Sequence, residues 1–349
     1  MSSHQSSHQS SSQHSSSRQG SPRQPSPQRS SPHRPSLPLS SPEGATRREP
    51  LFGTGLSTAV GEVEETLRLA VRADRQGLDL VTVSDHPYYG ERLDAYAILG
   101  VVLGRTRHVS GLVCVTNLPS RPAPMLARTV TSLSALTGGR LVLGMGAGGL
   151  WDDIARLGLP RLGPGAAVRA LEEAIVLVRL LCGGAGPVTF EGEFYRVHDL
   201  EPAPVEAPPV WTGAVGPKSL AVTGRVGDGW IPGHAADWLS ERFRDSRPVI
   251  DEAALKAGRD PADVATVYNL PGVITSAPAA APRDREGRWR GGSVRQWVEE
   301  LTGAVLEFGA AGFVHFRVED GTSPDVTLGR WAEEVAPAVR EAVAEAARP

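Results

Sequence analysis

After residue 50 the chain alternates strand-like and helix-like segments eight times, and this rhythm restricts the fold more than any other feature. The strand-like segments lie at 51–57, 78–86, 108–117, 140–146, 208–215, 228–233, 263–275 and 312–318. Several are near-continuous Val and Leu, as in LVTV (80–83) and RLVLG (140–144), the pattern of strands covered on both faces. Between them run stretches with apolar residues every three to four positions. VEETLRLAVRADRQG (63–77) stops at Gly77, and AVRALEEAIVLVRLLCGG (167–184) stops at a glycine pair. Regular strand–helix alternation predicts an α/β fold with a parallel sheet, and eight repeats predict a closed (β/α)8 TIM barrel rather than an open sheet. VTFEGEFYRVHDL (188–200) alternates around a central glycine and reads as a small hairpin inserted before the fifth strand.

The first 50 residues differ in kind. MSSHQSSHQSSSQHSSSRQGSPRQPSPQRSSPHRPS is Ser, Gln, His and Pro with almost no apolar side chains. Such a segment has too little surface to bury against its ordering entropy, so residues 1–50 are expected to be a disordered tail before a single barrel domain at 51–349. Six arginines against Glu43 and Glu49 give the tail +4, so with −3 overall the barrel carries −7. An acidic body argues against nucleic acid as a partner. His4, His8, His14 and His33 all lie in the tail and read as solvated low complexity rather than metal ligands. No apolar h-region and no run of ~18 apolar residues is present, so neither secretion nor a membrane is expected. Cys114 and Cys182 sit in apolar contexts without metal-ligand spacing, which suits a reducing, cytoplasmic location.

RLVLGMGAGGLWDD (140–153) satisfies the G-x-G-x-x-G spacing of a dinucleotide-binding turn. Three features oppose that reading. The glycines follow the fourth strand, not a first; LWDDIARLGLPRLGPG (150–165), with Pro160 and Pro164, reads as a loop; and Glu172 and Glu173 lie inside a helix. In a barrel these glycines instead fall at the C-terminal mouth, where active sites are built and where bare backbone lets a flat ring approach. The other strand ends there are Ser84-Asp85-His86, Thr116-Asn117, Gly213 to Ser219, Asp228-Gly229-Trp230 and Tyr268-Asn269. Lys218 opens a helix after GAVGP, which suits a phosphate site or, alternatively, a solvated surface lysine. The loop 281–292 carries Arg283, Arg285, Arg288 and Arg290 and reads first as solvated, second as a clamp for an anionic tail. No metal cluster, nucleophile elbow or Schiff-base lysine stands out. A Gly-rich mouth with one histidine suits a bound cofactor doing the chemistry.

LDLVTVSDH, RPAPMLARTVTSLSALTGGRLVLGMGAGGLWDD, ALEEAIVLVRLL, VTFEGEFYRV and PPVWTGAVGPKSLAVTGRVGDGWIP, in that order, resemble the bacterial-luciferase-like superfamily of flavin- and deazaflavin-dependent oxidoreductases. The likeness is greatest to the branch that uses coenzyme F420 (8-hydroxy-5-deazaflavin), with FMN as the alternative cofactor. It implies a barrel holding the ring at its mouth, with His86 and Asp85 as the catalytic pair. It implies a non-prolyl cis peptide at Val113-Cys114 behind the ring, next to Thr116 and Asn117. It also implies contacts to the cofactor's side chain and phosphate from Gly146, Ala147, Gly148, Gly149, Gly213, Gly216, Pro217 and Lys218. Sugar-phosphate dehydrogenases of the superfamily have a Trp four positions after the His and a Glu in the strand-four loop; here Gly90 and Gly149 stand there. The expected activity is hydride transfer between the reduced deazaflavin and an unidentified organic small molecule. An FMN-dependent monooxygenase and a non-catalytic flavin-binding barrel are the alternatives, and a homodimer is compatible with all three.

Overall fold

The computed structural model describes residues 49–348 except His234; the expected tail, apart from Glu49 and Pro50, lies outside the described residues. The eight barrel strands are Leu51–Gly55, Leu80–Val83, Ser110–Val113, Leu141–Gly146, Val210–Thr212, Gly229–Trp230, Ala265–Thr275 and Gly312–Arg317. Each pairs in parallel with the next, and the eighth returns to the first through Leu51↔Gly312 and Thr54↔His315. The closed parallel barrel follows the sequence rhythm directly.

Strand alternation sorts the apolar residues into two packed layers. Leu51, Leu80, Leu112, Val142, Trp211, Val267 and Val314 form one cluster, with the partly buried Cys114, Val115 and Phe316 against it. Phe52, Val81, Tyr268 and Phe313 belong to the larger cluster that packs strands on helices, together with Trp297 and Trp331. A buried leucine such as Leu80 contributes roughly 1.5–3 kcal/mol. Helix Val63–Arg75 shows how an outer element docks. Leu67, Ala70 and Ala73 face the barrel, Arg72 and Arg75 sit in its last turn, and Gly77 at φ +80° turns the chain into the second strand. The inserted hairpin is Val188–Glu191 with Arg196–Leu200, antiparallel, its turn held by Glu173, which accepts from the backbone N–H groups of Glu193 and Phe194 at 2.8 and 2.9 Å.

Two local expectations need correction. The third strand is not continuous over 108–117: it stops at Val113 and resumes as Thr116–Asn117, paired with the fourth strand at Met145 and Gly146. The segment 150–165 is not all loop, because Trp151–Arg156 forms a short helix with Asp152 and Asp153 in its first turn, where acids favour the helix dipole. After the eighth strand, helices Pro324–Gly329 and Ala336–Ala346 are joined through a π segment, Arg330–Val335, just before Pro337, which has no N–H to return to residue 333.

Candidate active site

The C-terminal mouth encloses a cavity of about 490 Å³, a size suited to a cofactor ring or small ligand. Its lining comes from the ends of strands two to seven, which is why residues far apart in sequence meet there.

Strand two ends at Val83, and the chain then runs through Ser84 and Asp85 to His86. Asp85 is buried at 4% exposure, and its carboxylate is fully engaged. Oδ2 accepts the Asn117 backbone N–H at 2.9 Å and Arg121 Nε at 2.8 Å, while Oδ1 accepts Arg121 Nη2 at 2.7 Å. Arg121 also reaches Asp94 at 2.7 Å and lies over the Tyr96 ring, 4.8 Å from its centroid. One guanidinium thereby ties the loop after strand two to the segment after strand three.

His86 is half-buried and lines the cavity. Its Nδ1 lies 2.7 Å from the Tyr88 hydroxyl, and its ring packs against those of Tyr88 and Tyr89. Burial holds the imidazole below its usual value; Arg92 pushes the same way and Asp85 opposes. Burial thus favours the neutral form of the ring.

The non-prolyl cis peptide joins Cys114 to Val115, one residue beyond the expected Val113-Cys114. The reason is the ladder: Cys114 N–H still donates to Val83 O at 2.8 Å, so regular pairing persists through Cys114 and breaks after it. Val115 then fills the space over two glycines. A Cβ on Gly146 would sit 2.7 Å from Val115 Cγ2, and one on Gly213 would sit 3.1 Å from it. Val115 thus leaves no room for a side chain at Gly146 and little at Gly213, whereas Gly149 has nothing within 4 Å of a built Cβ. The Cys114 sulfur accepts from Asn269 Nδ2 at 3.3 Å, and burial pushes the thiol up to about 11, so it is not a thiolate nucleophile at neutral pH.

Two acceptors in this lining have no partner: Asn117 Oδ1 and Asn269 Oδ1, both buried atoms. Buried amide oxygens are normally hydrogen-bonded, so an apolar-walled cavity with two open acceptors fits a planar heteroaromatic that brings N–H donors, as flavins and deazaflavins do. Thr116, by contrast, is satisfied by the Tyr96 hydroxyl at 2.7 Å.

The structure brings Asp85, His86, Cys114, Thr116, Asn117, Gly146, Ala147, Gly148, Gly149 and Gly213 together around the cavity. It does not bring in Val113, which is buried in the strand–helix core, or Gly216, Pro217 and Lys218, which start helix Pro217–Val226 beyond the lining, with Lys218 exposed. Residues missed by the sequence reading are Tyr88, Val115, Leu150, Val215, Ile231 and Pro232. The tyrosine pair that follows the strand-end histidine after Pro87 was the available signal for Tyr88. In the loop after strand seven, Arg283 bonds Asp237 at 2.6 Å and pairs with Glu300, and Arg288 bonds Asp284 at 2.9 Å. Both are engaged within the protein. Among the described residues no group of three or more His, Cys, Asp or Glu could hold a metal, and no helix is long and apolar enough to cross a membrane.

A closed (β/α)8 barrel with a cofactor-sized cavity around a strand-end histidine defines a class of ligand-binding barrel. The luciferase-like monooxygenase family model matches residues 50–348, and the chain belongs to that family. The F420-dependent glucose-6-phosphate dehydrogenase of Microbacterium testaceum is 31% identical over 229 residues, 63% of this chain and 67% of that protein. The F420-dependent hydroxymycolic acid dehydrogenase of Mycobacterium tuberculosis is 30% identical over 281 residues, 74% of this chain and 72% of that protein. Among solved structures, an F420-dependent secondary alcohol dehydrogenase in complex with an F420-acetone adduct superposes with a TM-score of 0.69 at 20% identity, covering 84% of this chain and 99% of that one.

Proposed function

We propose that the protein is a deazaflavin-dependent oxidoreductase that transfers a hydride between coenzyme F420 and the carbonyl or hydroxyl carbon of an organic substrate. The observation that carries this reading is a cavity-lining His86, whose burial favours the neutral ring, in one cavity with the two unpartnered amide oxygens of Asn117 and Asn269. The relatives named F420-dependent dehydrogenases support the cofactor.

Asn117 and Asn269 would accept hydrogen bonds from the cofactor ring, with Val115 and Gly146 to Gly149 forming the wall beside it. Gly216, Pro217 and the exposed Lys218, at a helix N-terminus outside the cavity, would meet its anionic side chain. The bound deazaflavin supplies the hydride. His86 presents its ring to the substrate oxygen as a hydrogen-bond donor, and a neutral imidazole can polarise a carbonyl in this way. Asp85, committed to Arg121 and Asn117, positions the loop that carries His86 rather than exchanging protons itself. Leu150, Val215 and Ile231 give the cavity apolar walls against which the ring and substrate would pack. Where sugar-phosphate dehydrogenases have Trp and Glu, Gly90 and Gly149 leave open space, so a substrate other than a sugar phosphate is proposed.

The test is titration of the purified protein with F420 and, separately, with FMN, followed by a panel of alcohols and ketones. Tight F420 binding, at least about tenfold tighter than FMN, with hydride turnover on the panel is expected. Preferential FMN binding would overturn the reading in favour of a monooxygenase, and F420 binding without any turnover would favour a non-catalytic carrier.

A further inference from the structure

Tyr88 follows His86 by two residues on the same loop and lines the same cavity, with its hydroxyl 2.7 Å from His86 Nδ1. A neutral imidazole has one N–H donor and one bare acceptor nitrogen, and a partner at one nitrogen decides which is which. A phenol O–H is a stronger donor than the N–H of a neutral imidazole, and the bare imidazole nitrogen is a stronger acceptor than a phenol oxygen. At 2.7 Å the chemistry of this pair therefore favours a bond from the Tyr88 O–H to His86 Nδ1.

We propose that Tyr88 is a positioning residue that donates its O–H to His86 Nδ1, so that the neutral ring carries its proton on Nε2, the nitrogen left free for the substrate oxygen. This rests on the reading of His86 as the substrate's hydrogen-bond donor for its consequence, although the tautomer itself does not depend on it. The surroundings act consistently. Burial and Arg92 disfavour the imidazolium, and Asp85, the acid facing the ring from its own loop, is tied up by Arg121. Burial, with Tyr89 on the same loop, Asp85 and Asp153 on the short helix Trp151–Arg156, keeps the Tyr88 phenol protonated, as a donor must be. The Tyr89 ring braces Tyr88 edge-on at 4.7 Å between centroids.

The experiment is ¹⁵N spectroscopy of histidine-labelled, cofactor-free protein, with the His86 signal assigned by its loss in His86→Gln. Wild type is expected to show a single Nε2–H tautomer for His86 at neutral pH. Tyr88→Phe, which keeps the ring and its packing, is expected to bring the Nδ1–H form up to at least about a third of the population and to raise the ring's titration midpoint, because a donor to Nδ1 disfavours protonation. A proton on Nδ1 in wild type, or an unchanged tautomer in Tyr88→Phe, overturns the proposal. Should the Phe variant fail to fold, the wild-type tautomer alone decides. Loss of the catalytic reading would appear separately, as undiminished turnover in His86→Asn with the tautomer result intact.

Discussion

Arg121 grips Asp85 at both carboxylate oxygens, Nε to Oδ2 at 2.8 Å and Nη2 to Oδ1 at 2.7 Å. The acid beside His86 is thus a bolt between two barrel loops, closed from the other side by the Asn117 backbone N–H. Leaving one member of a buried ion pair without its partner typically costs about 3–5 kcal/mol. The Asp85 side chain is 1% exposed, so Arg121→Leu is expected to destabilise the fold by about that amount in urea unfolding. A loss below about 1 kcal/mol would show that the loops are held by other contacts.

The mouth glycines divide into two kinds. Gly146→Ala drives a methyl into Val115 and is expected to cost about 1–3 kcal/mol, partly recovered by adding Val115→Ala. Gly149→Ala meets nothing within 4 Å and is expected to stay within about 0.5 kcal/mol of wild type. Equal thermal shifts for the two variants would contradict this division.

The barrel was legible because strands buried on both faces, such as Leu80–Val83, leave a near-continuous apolar signal that amphipathic elements do not share. Strand ends were legible for the same reason, and Asp85, His86, Thr116 and Asn117 were placed by counting. What was not legible depends on contacts between distant segments. Val115 entered the site only because the chain turns after Cys114, and nothing in VCVT marks which peptide does so. Ile231 and Pro232 reach the cavity from strand six, and the short helix at Trp151 forms in a segment whose two prolines look like breakers but lie beyond it.

His315 carries a pH signature. It is 2% exposed, donates from Nε2 to Gly272 O at 2.9 Å, and stacks on Trp331, and burial holds it down to about 4 against an unfolded value near 6.5. A depressed folded value means that the unfolded chain binds the extra proton, so stability from this group is complete above pH 6.5 and is lost as pH falls toward 4. Its share over that window is roughly 3 kcal/mol. Urea unfolding of His315→Phe is expected to lose less stability than wild type between pH 7 and 5; an identical loss in both would refute the assignment.

Lys218 is exposed at the first turn of helix Pro217–Val226. If it meets the anionic side chain of F420, Lys218→Ala should weaken binding by about 1 kcal/mol, roughly fivefold, the upper range for a solvated ion pair, and less in high salt. An unchanged dissociation constant at low salt returns the lysine to the solvated surface.

Whether His86 acts on the substrate of a deazaflavin reaction is decided by single-turnover oxidation of bound, reduced F420 by a ketone substrate in wild type and His86→Asn. The variant is expected to bind F420 as wild type does but to transfer hydride about 10²–10⁴-fold more slowly, the usual contribution of a positioned hydrogen-bonding or acid group. A folded, F420-loaded His86→Asn whose rate stays within a few-fold of wild type would contradict it.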